Sequence, residues 1–467
     1  MNDITSRMNQ DTQKLTKEMR IHTSKLGWIV RFIIISAIIF ILSYNIYYGL
    51  ELKDPFVLYS IIIPLQSILT YTIGWFFYRD PSIGKIDGKL VSVIIPIYNQ
   101  EALIGTVIEK IFESTYKKIE VIAVNDGSKD NTQSILEELA KKFEKLKVIN
   151  NKNGGKRKAI ASGFEASKGS YVVLIDSDSI IDSKGIERFV RTFSSDDRIG
   201  AVVGNVKALN NTESLLARCQ DIWYDYSFNL TKACESFFGS VLCCSGCFSA
   251  YRREAIEQFI KIWSSAKFQY SDDRQLTSLA LAKPQFKLEA LSAFSQNRLK
   301  SASKYDDAED RVLTGQSLLE WKVCYVSSAF CFTDVPTNLK TFYKQQLRWK
   351  KGFLRTNIFV SGFFWKKNPL MAFIFYLDYM ASFSVPLVVV IVLFYEPFIL
   401  QNFYLPALFF GGLTLVGIAE GIDSKFRNSY MPNWMYKPIM NLIATLMLSF
   451  LMFPAIWSIR KNTWGTR

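Results

Sequence analysis

Apolar residues run unbroken near both ends of the chain and come in short strand-length or helix-periodic pieces through the middle. Residues 28–48 (WIVRFIIISAIIFILSYNIYY) and 56–77 (FVLYSIIIPLQSILTYTIGWFF) are each close to the about 20 residues that span about 30 Å of hydrocarbon, which predicts two transmembrane helices over 28–77. The preceding segment, 1–27, is polar and mixed in charge, and no small-residue cleavage site follows the first run. That points to a retained anchor with a cytoplasmic N-terminal segment. At the other end, 370–400, 403–422 and 436–459 make a C-terminal transmembrane region over 370–459. The first of these is long and contains Asp378 and Pro386, a pattern that fits an interfacial helix joined to a span. Three crossings would carry the basic tail 460–467, with Arg460, Lys461 and Arg467, to the outside against the positive-inside tendency, so one of the three is expected not to cross simply.

The middle has a different texture. Residues 89–97, 118–124, 146–150 and 170–175 are β-branched apolar runs, and the amphipathic stretches 102–112 and 132–143 lie between them. Alternating strands and helices predict an α/β domain over 89–336, a largely parallel, doubly wound sheet covered by helices on both faces. Ligands in such sheets bind beyond the carboxyl ends of the strands. A polar, charged stretch, about 283–320, reads as a surface helical insertion.

Composition sharpens this division. The 467 residues are 49% hydrophobic and 15% aromatic, which excludes disorder, and the two end regions account for the excess. The formal charge of +14 is equally uneven: Lys340, Lys344, Arg348, Lys350, Lys351, Arg355, Lys366 and Lys367 fall in 337–367, which has no Asp or Glu. Basic residues interleaved with aromatics can bind nucleic acid. Directly before a membrane run they read better as basic amphipathic interface helices on an anionic cytoplasmic leaflet, with lipid and not nucleic acid as partner, and the α/β domain in the cytoplasm. Seven cysteines, all within 219–331, fit a reducing compartment. Cys243, Cys244 and Cys247 cluster, but the single histidine, His22, lies before the first span and no further ligand pair completes a zinc site.

Candidate chemistry sits at the strand ends. Asn125–Asp126–Gly127–Ser128 offers a carboxylate that can accept from a base or ribose, or can cap the next helix. Asp176 and Asp178, two residues apart, are hard oxygen ligands suited to Mg²⁺ or Mn²⁺ carrying a diphosphate, and an acidic turn is the plainer alternative. Gly154 and Gly155 permit close backbone approach, and Lys156 and Arg157 can meet phosphate or the base. In 271–274 a carboxylate able to reach an acceptor hydroxyl would serve as a base. Arg348 can stabilise a departing diphosphate, and Trp349 offers a flat apolar face to a sugar ring, although each fits an ion-paired loop or a core position as well.

Together PIYN (96–99), VNDGS (124–128), GGKRKA (154–159), DSD (176–178), SDDR (271–274) and QQLRW (345–349) make the chain similar to the membrane-embedded processive family 2 glycosyltransferases. These include cellulose, chitin and hyaluronan synthases. CCSGCFSAYRRE (243–254), DIWYDYSF (221–228), TDVP (333–336) and WGTR (464–467) most resemble the bacterial hyaluronan synthases. The resemblance implies a GT-A fold, a UDP-sugar donor, inversion at the anomeric carbon, Mg²⁺ or Mn²⁺, and secretion of the growing polysaccharide through a channel in the plasma membrane made by the same multi-pass chain. By the same resemblance Pro96, Tyr98, Asp126, Lys156, Arg157 and Asp176 belong to the donor site, and Gln345 and Arg348 contact the diphosphate. Asp178 is the metal ligand and Asp273 the general base, while Trp349, Cys247 and Arg274 face the acceptor.

The chain departs from that pattern in three places. Ser271 stands where hyaluronan synthases have glycine, Cys247 where they have proline, and about 283–320 has no counterpart in their short link. The Ser-Asp-Asp-Arg form also resembles streptococcal type 3 capsule synthases, which build a glucose/glucuronate polymer. Chitin or poly-N-acetylglucosamine synthesis, a non-processive polyprenyl-phosphate transferase, and a catalytically silent nucleotide-sugar sensor are the remaining alternatives. Residues 345–349 argue against the second of these, and the intact carboxylates at 126, 176, 178 and 273 against the third.

Overall fold

The computed structural model describes residues 24–52, 61–265, 271–281, 321–427 and 431–459. The insertion about 283–320, the WGTR tail, His22 and the start of the second apolar run lie outside the described residues. Eight strands form one sheet: β1 Val91–Ile97, β2 Ile119–Asn125, β3 Leu146–Asn150, β4 Tyr171–Leu174, β5 Ser179–Ile181, β6 Ile199–Ala208, β7 Ser249–Arg252 and β8 Lys322–Thr333. Their order is β3-β2-β1-β4-β7-β6-β8-β5.

The half built from β3, β2, β1 and β4 is parallel throughout, as the β-branched runs predict. All seven residues of β1 are buried, and each Ile or Val removed from water there contributes about 1.5–3 kcal/mol. The other half departs from the expectation. β7 runs antiparallel between β4 and β6, β8 is parallel to β6, and β5 returns antiparallel to β8. The sheet is therefore mixed. A four-residue strand such as SAYR is too short to show a period, and its direction is set by the loop that delivers it.

The helix Lys156–Ala166 lies on β1 and β2, and the helices Arg253–Ser265 and Asp272–Leu281 pack around it and the sheet. Next to them runs one continuous basic helix, Leu339–Phe364, where the charge pattern suggested several pieces. Asn338 caps it by accepting from the Thr341 backbone N–H at 3.0 Å. Its polar flank meets Asp272–Leu281, and its other flank meets the membrane-side helix Met452–Trp457.

Among the described residues four helical segments are long and apolar enough to cross a membrane: Lys25–Tyr44, Pro369–Phe398, Tyr404–Arg427 and Trp434–Trp457. Large apolar side chains such as Phe32, Phe40 and Leu415 point outward from them, a surface that water would penalise and lipid would not. These helices mark a membrane protein. All three C-terminal runs qualify, so length and composition do not set one of them apart as non-crossing. The helix Ile62–Thr72, continued by a π-turn at Ile73–Phe77, packs between Lys25–Leu52 and Pro369–Val390.

Candidate active site

The loops beyond the carboxyl ends of β1, β2 and β4 converge. The Asp126 backbone N–H donates to the Ile97 carbonyl at 2.8 Å, locking the end of β2 to that of β1. Its carboxylate accepts from the backbone N–H groups of Gly154 and Gly155, both at 2.8 Å. Gly155 needs to be glycine because its φ is +90°, a conformation that L side chains rarely adopt. Asp126 therefore shapes the glycine loop through both oxygens, and a ligand would meet that loop with Asp126 behind it.

Lys156 opens the next helix and turns into a small recess that it shares with Pro96, Asp176, Gly246, Asp272 and Asp273. Its ammonium is ion-paired with Asp176. Burial works against the charged ammonium, but Asp176 first and Asp272 second outweigh it and hold the lysine above its ordinary pKa. A phosphate arriving here would meet a fully charged Lys156.

Asp273 sits in the first turn of Asp272–Leu281. One oxygen accepts from the Arg274 backbone N–H at 2.8 Å, and the other faces the Gly246 N–H at 3.3 Å and the Cys243 Sγ at 3.7 Å. Burial, with Asp273 adding to it, pushes the Cys243 thiol up to about 12. The thiol stays protonated and donates to the Asp273 carboxylate. All seven cysteines are free thiols, in keeping with the sequence reading.

The remaining predicted residues separate into two groups. Asp178 is nearly buried at the turn into β5, and burial, followed by the charges of Asp176 and Asp178, pushes the Cys247 thiol beside it up to about 12. Tyr224 shares that neighbourhood: burial raises its pKa, Cys247 and Asp178 add to the rise, and Arg348 opposes it. Trp349 is 36% exposed and lies 6.4 Å, centroid to centroid, from both Trp223 and Tyr224. Gln345, one turn before Trp349, accepts from the Gln346 side chain at 3.4 Å. Asp178, Cys247, Arg348 and Trp349 thus fall in one neighbourhood on the side of the basic helix. Tyr98 is exposed at the end of β1.

Arg157 and Arg274 are placed differently from expectation. Arg157 is only 1% exposed and binds Asp272 in the interior, so it does not reach a phosphate in the recess. Consecutive helical residues point about 100° apart, and Lys156 takes the solvent-facing direction. Arg274 donates to Asn357 Oδ1 at 3.0 Å and lies 5.2 Å over the Phe353 ring, both on the basic helix. It ties the Asp273 helix to that element. Trp223, Tyr224 and Asp272 were not singled out by sequence. The aromatic run at 221–228 was the available signal for the first two, and the paired acids of 272–273 for the third.

Among the described residues no group of three or more His, Cys, Asp or Glu is arranged to hold a metal ion. Asp176 is engaged by Lys156, and Asp178 accepts from the Ser179 hydroxyl at 3.4 Å; the hard oxygens of Asp178 are of the kind that would suit an ion completed by ligand and solvent oxygens.

Residues 92–260 match the profile of glycosyl transferase family 2. The hyaluronan synthase of Streptococcus pyogenes is 28% identical over 446 residues, covering 93% of this chain and 97% of that protein. Hyaluronan synthase 3 of Homo sapiens is 28% identical over 330 residues, 68% of this chain and 51% of that one. Among solved structures, a mannosyltransferase from Pyrobaculum calidifontis in complex with GDP-Man and Mn²⁺ superposes with a TM-score of 0.50 at 17% identity, over 88% of this chain and 99% of that one. That likeness concerns the fold.

Proposed function

We propose that this chain, a family 2 glycosyltransferase, is a processive synthase that polymerises UDP-GlcNAc and UDP-GlcA into hyaluronan and passes the polymer out through its own membrane helices. The observation that carries the reading is a recess that brings Lys156 and Asp176 to Asp273, with the basic helix packed against the helix that bears Asp273. Lys156, paired with Asp176, faces Asp273, and the Asp273 helix is seated against the helix that carries Gln345, Arg348 and Trp349. Its likeness to the streptococcal hyaluronan synthase along nearly the whole chain supports the product.

The glycine loop clamped by Asp126 receives the nucleotide, and Lys156 releases Asp176 to meet the diphosphate. Asp273 takes the proton of the acceptor hydroxyl as its oxygen forms a bond to the anomeric carbon. The bond from that carbon to the diphosphate oxygen breaks on the opposite face, its electron pair leaves with UDP, and the configuration inverts. Lys156 and Arg348 bear the charge that develops on the leaving group. A divalent ion, Mg²⁺ or Mn²⁺, held by Asp178 and diphosphate oxygens would supply further charge neutralisation. Trp349, with Trp223 and Tyr224 beside it, supports the acceptor sugar. The basic helix lies on the cytoplasmic leaflet of the plasma membrane, and the apolar helices surround the exit path.

Donor dependence tests the proposal. Purified protein in lipid, with Mg²⁺ or Mn²⁺, should incorporate label from UDP-GlcNAc only when UDP-GlcA is present, and the product should yield to a hyaluronan-specific lyase. Polymer from UDP-GlcNAc alone would replace hyaluronan with a chitin or poly-N-acetylglucosamine product. Need for UDP-glucose with UDP-GlcA would point to a type 3 capsule polymer, and a short organic-soluble glycolipid would end the synthase reading.

A further inference from the structure

We propose that Arg157 is a positioning residue for Asp273, coupling the nucleotide loop to the catalytic base, and not a donor ligand. The inference rests on the reading of Asp273 as the base. Arg157 donates through Nε to Asp272 Oδ1 at 2.5 Å and through Nη1 to the Trp263 carbonyl at 3.1 Å. Its guanidinium also lies 5.2 Å from the centroid of the Trp263 ring. Arg157 and Trp263 are each 1% exposed, and Asp272 is 8% exposed.

A buried ion pair is costly to desolvate, and apolar contacts could join two helices as well or better. What this pair does that apolar contacts cannot is fix direction. Arg157 follows Lys156 on the same turn, so any motion of Lys156 toward a diphosphate is carried by the rigid guanidinium to Asp272, the residue before the base. From the other side, Ser271 enters the same turn at φ +60°, an uncommon conformation for a residue with a side chain. It is wedged against Gly352, where an added Cβ would stand 2.1 Å from the Ser271 Cβ. The first turn of Asp272–Leu281 is thus held between the donor loop through Arg157 and the acceptor helix through Gly352. Asp273 occupies that turn.

A donor ligand and a positioning residue separate kinetically. Misplacing a reacting group by a fraction of an ångström to an ångström costs up to about 100-fold in rate. Arg157→Lys, which keeps the charge and loses the fork, should lower kcat by about 10- to 100-fold while the donor KM and UDP affinity by calorimetry stay within about threefold. Asp272→Asn breaks the same bond from its other end and should reproduce the split, and the double variant should be no worse than the poorer single one. If Arg157→Lys fails to fold, Asp272→Asn alone carries the comparison. A parallel fall in UDP affinity and kcat would make Arg157 a donor ligand and overturn the inference, as would an unchanged kcat. Asp273→Asn separates the premise: turnover surviving in that variant removes the base assignment itself, whereas a dead Asp273→Asn beside a fully active Arg157→Lys removes only the coupling.

Discussion

Asp273 combines a usable carboxylate with restrained surroundings, since its partners are two backbone N–H groups and a thiol that burial keeps protonated. Replacing the carboxylate by an amide preserves shape and removes the proton acceptor. Asp273→Asn should therefore lower sugar incorporation by about 100- to 10,000-fold, the range a general base supplies, with UDP binding retained. Retained incorporation would disprove the role. The paired cations of 156–157 show how far residue-level reading reaches. Two adjacent basic side chains after two glycines look like two phosphate contacts, and only packing reveals that one faces Asp176 while the other is sealed against Asp272 and Trp263. A sequence specifies that charges are present, whereas burial decides which of them can meet a ligand. Asp126 carries the same lesson in a milder form, because both its oxygens are spent on the Gly154 and Gly155 N–H groups and its influence passes through the loop.

At the level of elements, the long helix Leu339–Phe364 is a seat for Asp272–Leu281 on one flank and meets Met452–Trp457 on the other. The seat depends on Gly352, the close-approach point to Ser271. Gly352→Ala should push the two helices apart and lower kcat by about tenfold or more, and because overpacking of about 1–3 kcal/mol outweighs the helix gain of about 1 kcal/mol from Ala, the unfolding temperature should fall as well. Kinetics beside thermal unfolding in detergent would check it, and normal kcat would show that the seat tolerates a methyl group. The four parallel strands, the helices between them and the long apolar segments were legible because each falls in a β-branched apolar run, an amphipathic repeat or a membrane-length span. β5 and β7, with three and four residues, were not, nor were β6 and β8 despite ten and twelve, nor was the continuity of the basic helix. Short strands take their direction from neighbours distant in sequence, and a helix continues through mixed polar and aromatic residues when both flanks find partners.

Across the whole molecule the soluble domain and the membrane helices are joined by buried charge. Asp225, in the helix Leu215–Tyr226, accepts from Lys207 of β6 at 2.5 Å and from Asn229 at 2.8 Å. Its second oxygen meets Arg427 at 3.1 Å and Ser424. Arg427 also pairs with Asp423 at 3.0 Å, and Asp423 with Arg31 of the first apolar helix at 2.7 Å. The network therefore runs from the sheet through Tyr404–Arg427 to Lys25–Leu52. Burial alone would raise the pKa of Asp225, but the Arg427 and Lys207 charges overcome that and hold it below the ordinary carboxylate range. For a carboxylate with a depressed folded pKa the stabilisation is fully present above its unfolded value of about 3.9 and is lost as pH falls below it toward the folded value. Asp225→Asn leaves the buried Lys207 ammonium without its carboxylate and Arg427 with Asp423 alone, which should cost about 3–5 kcal/mol. The variant should unfold at lower temperature in detergent at neutral pH and lose the part of the acid sensitivity that Asp225 contributes. Adding Arg427→Gln should recover part of the loss by removing one of the two buried cations. Equal unfolding temperatures for the wild type and Asp225→Asn would mean that the Asp225 charge adds nothing to the hold between the α/β domain and its membrane helices.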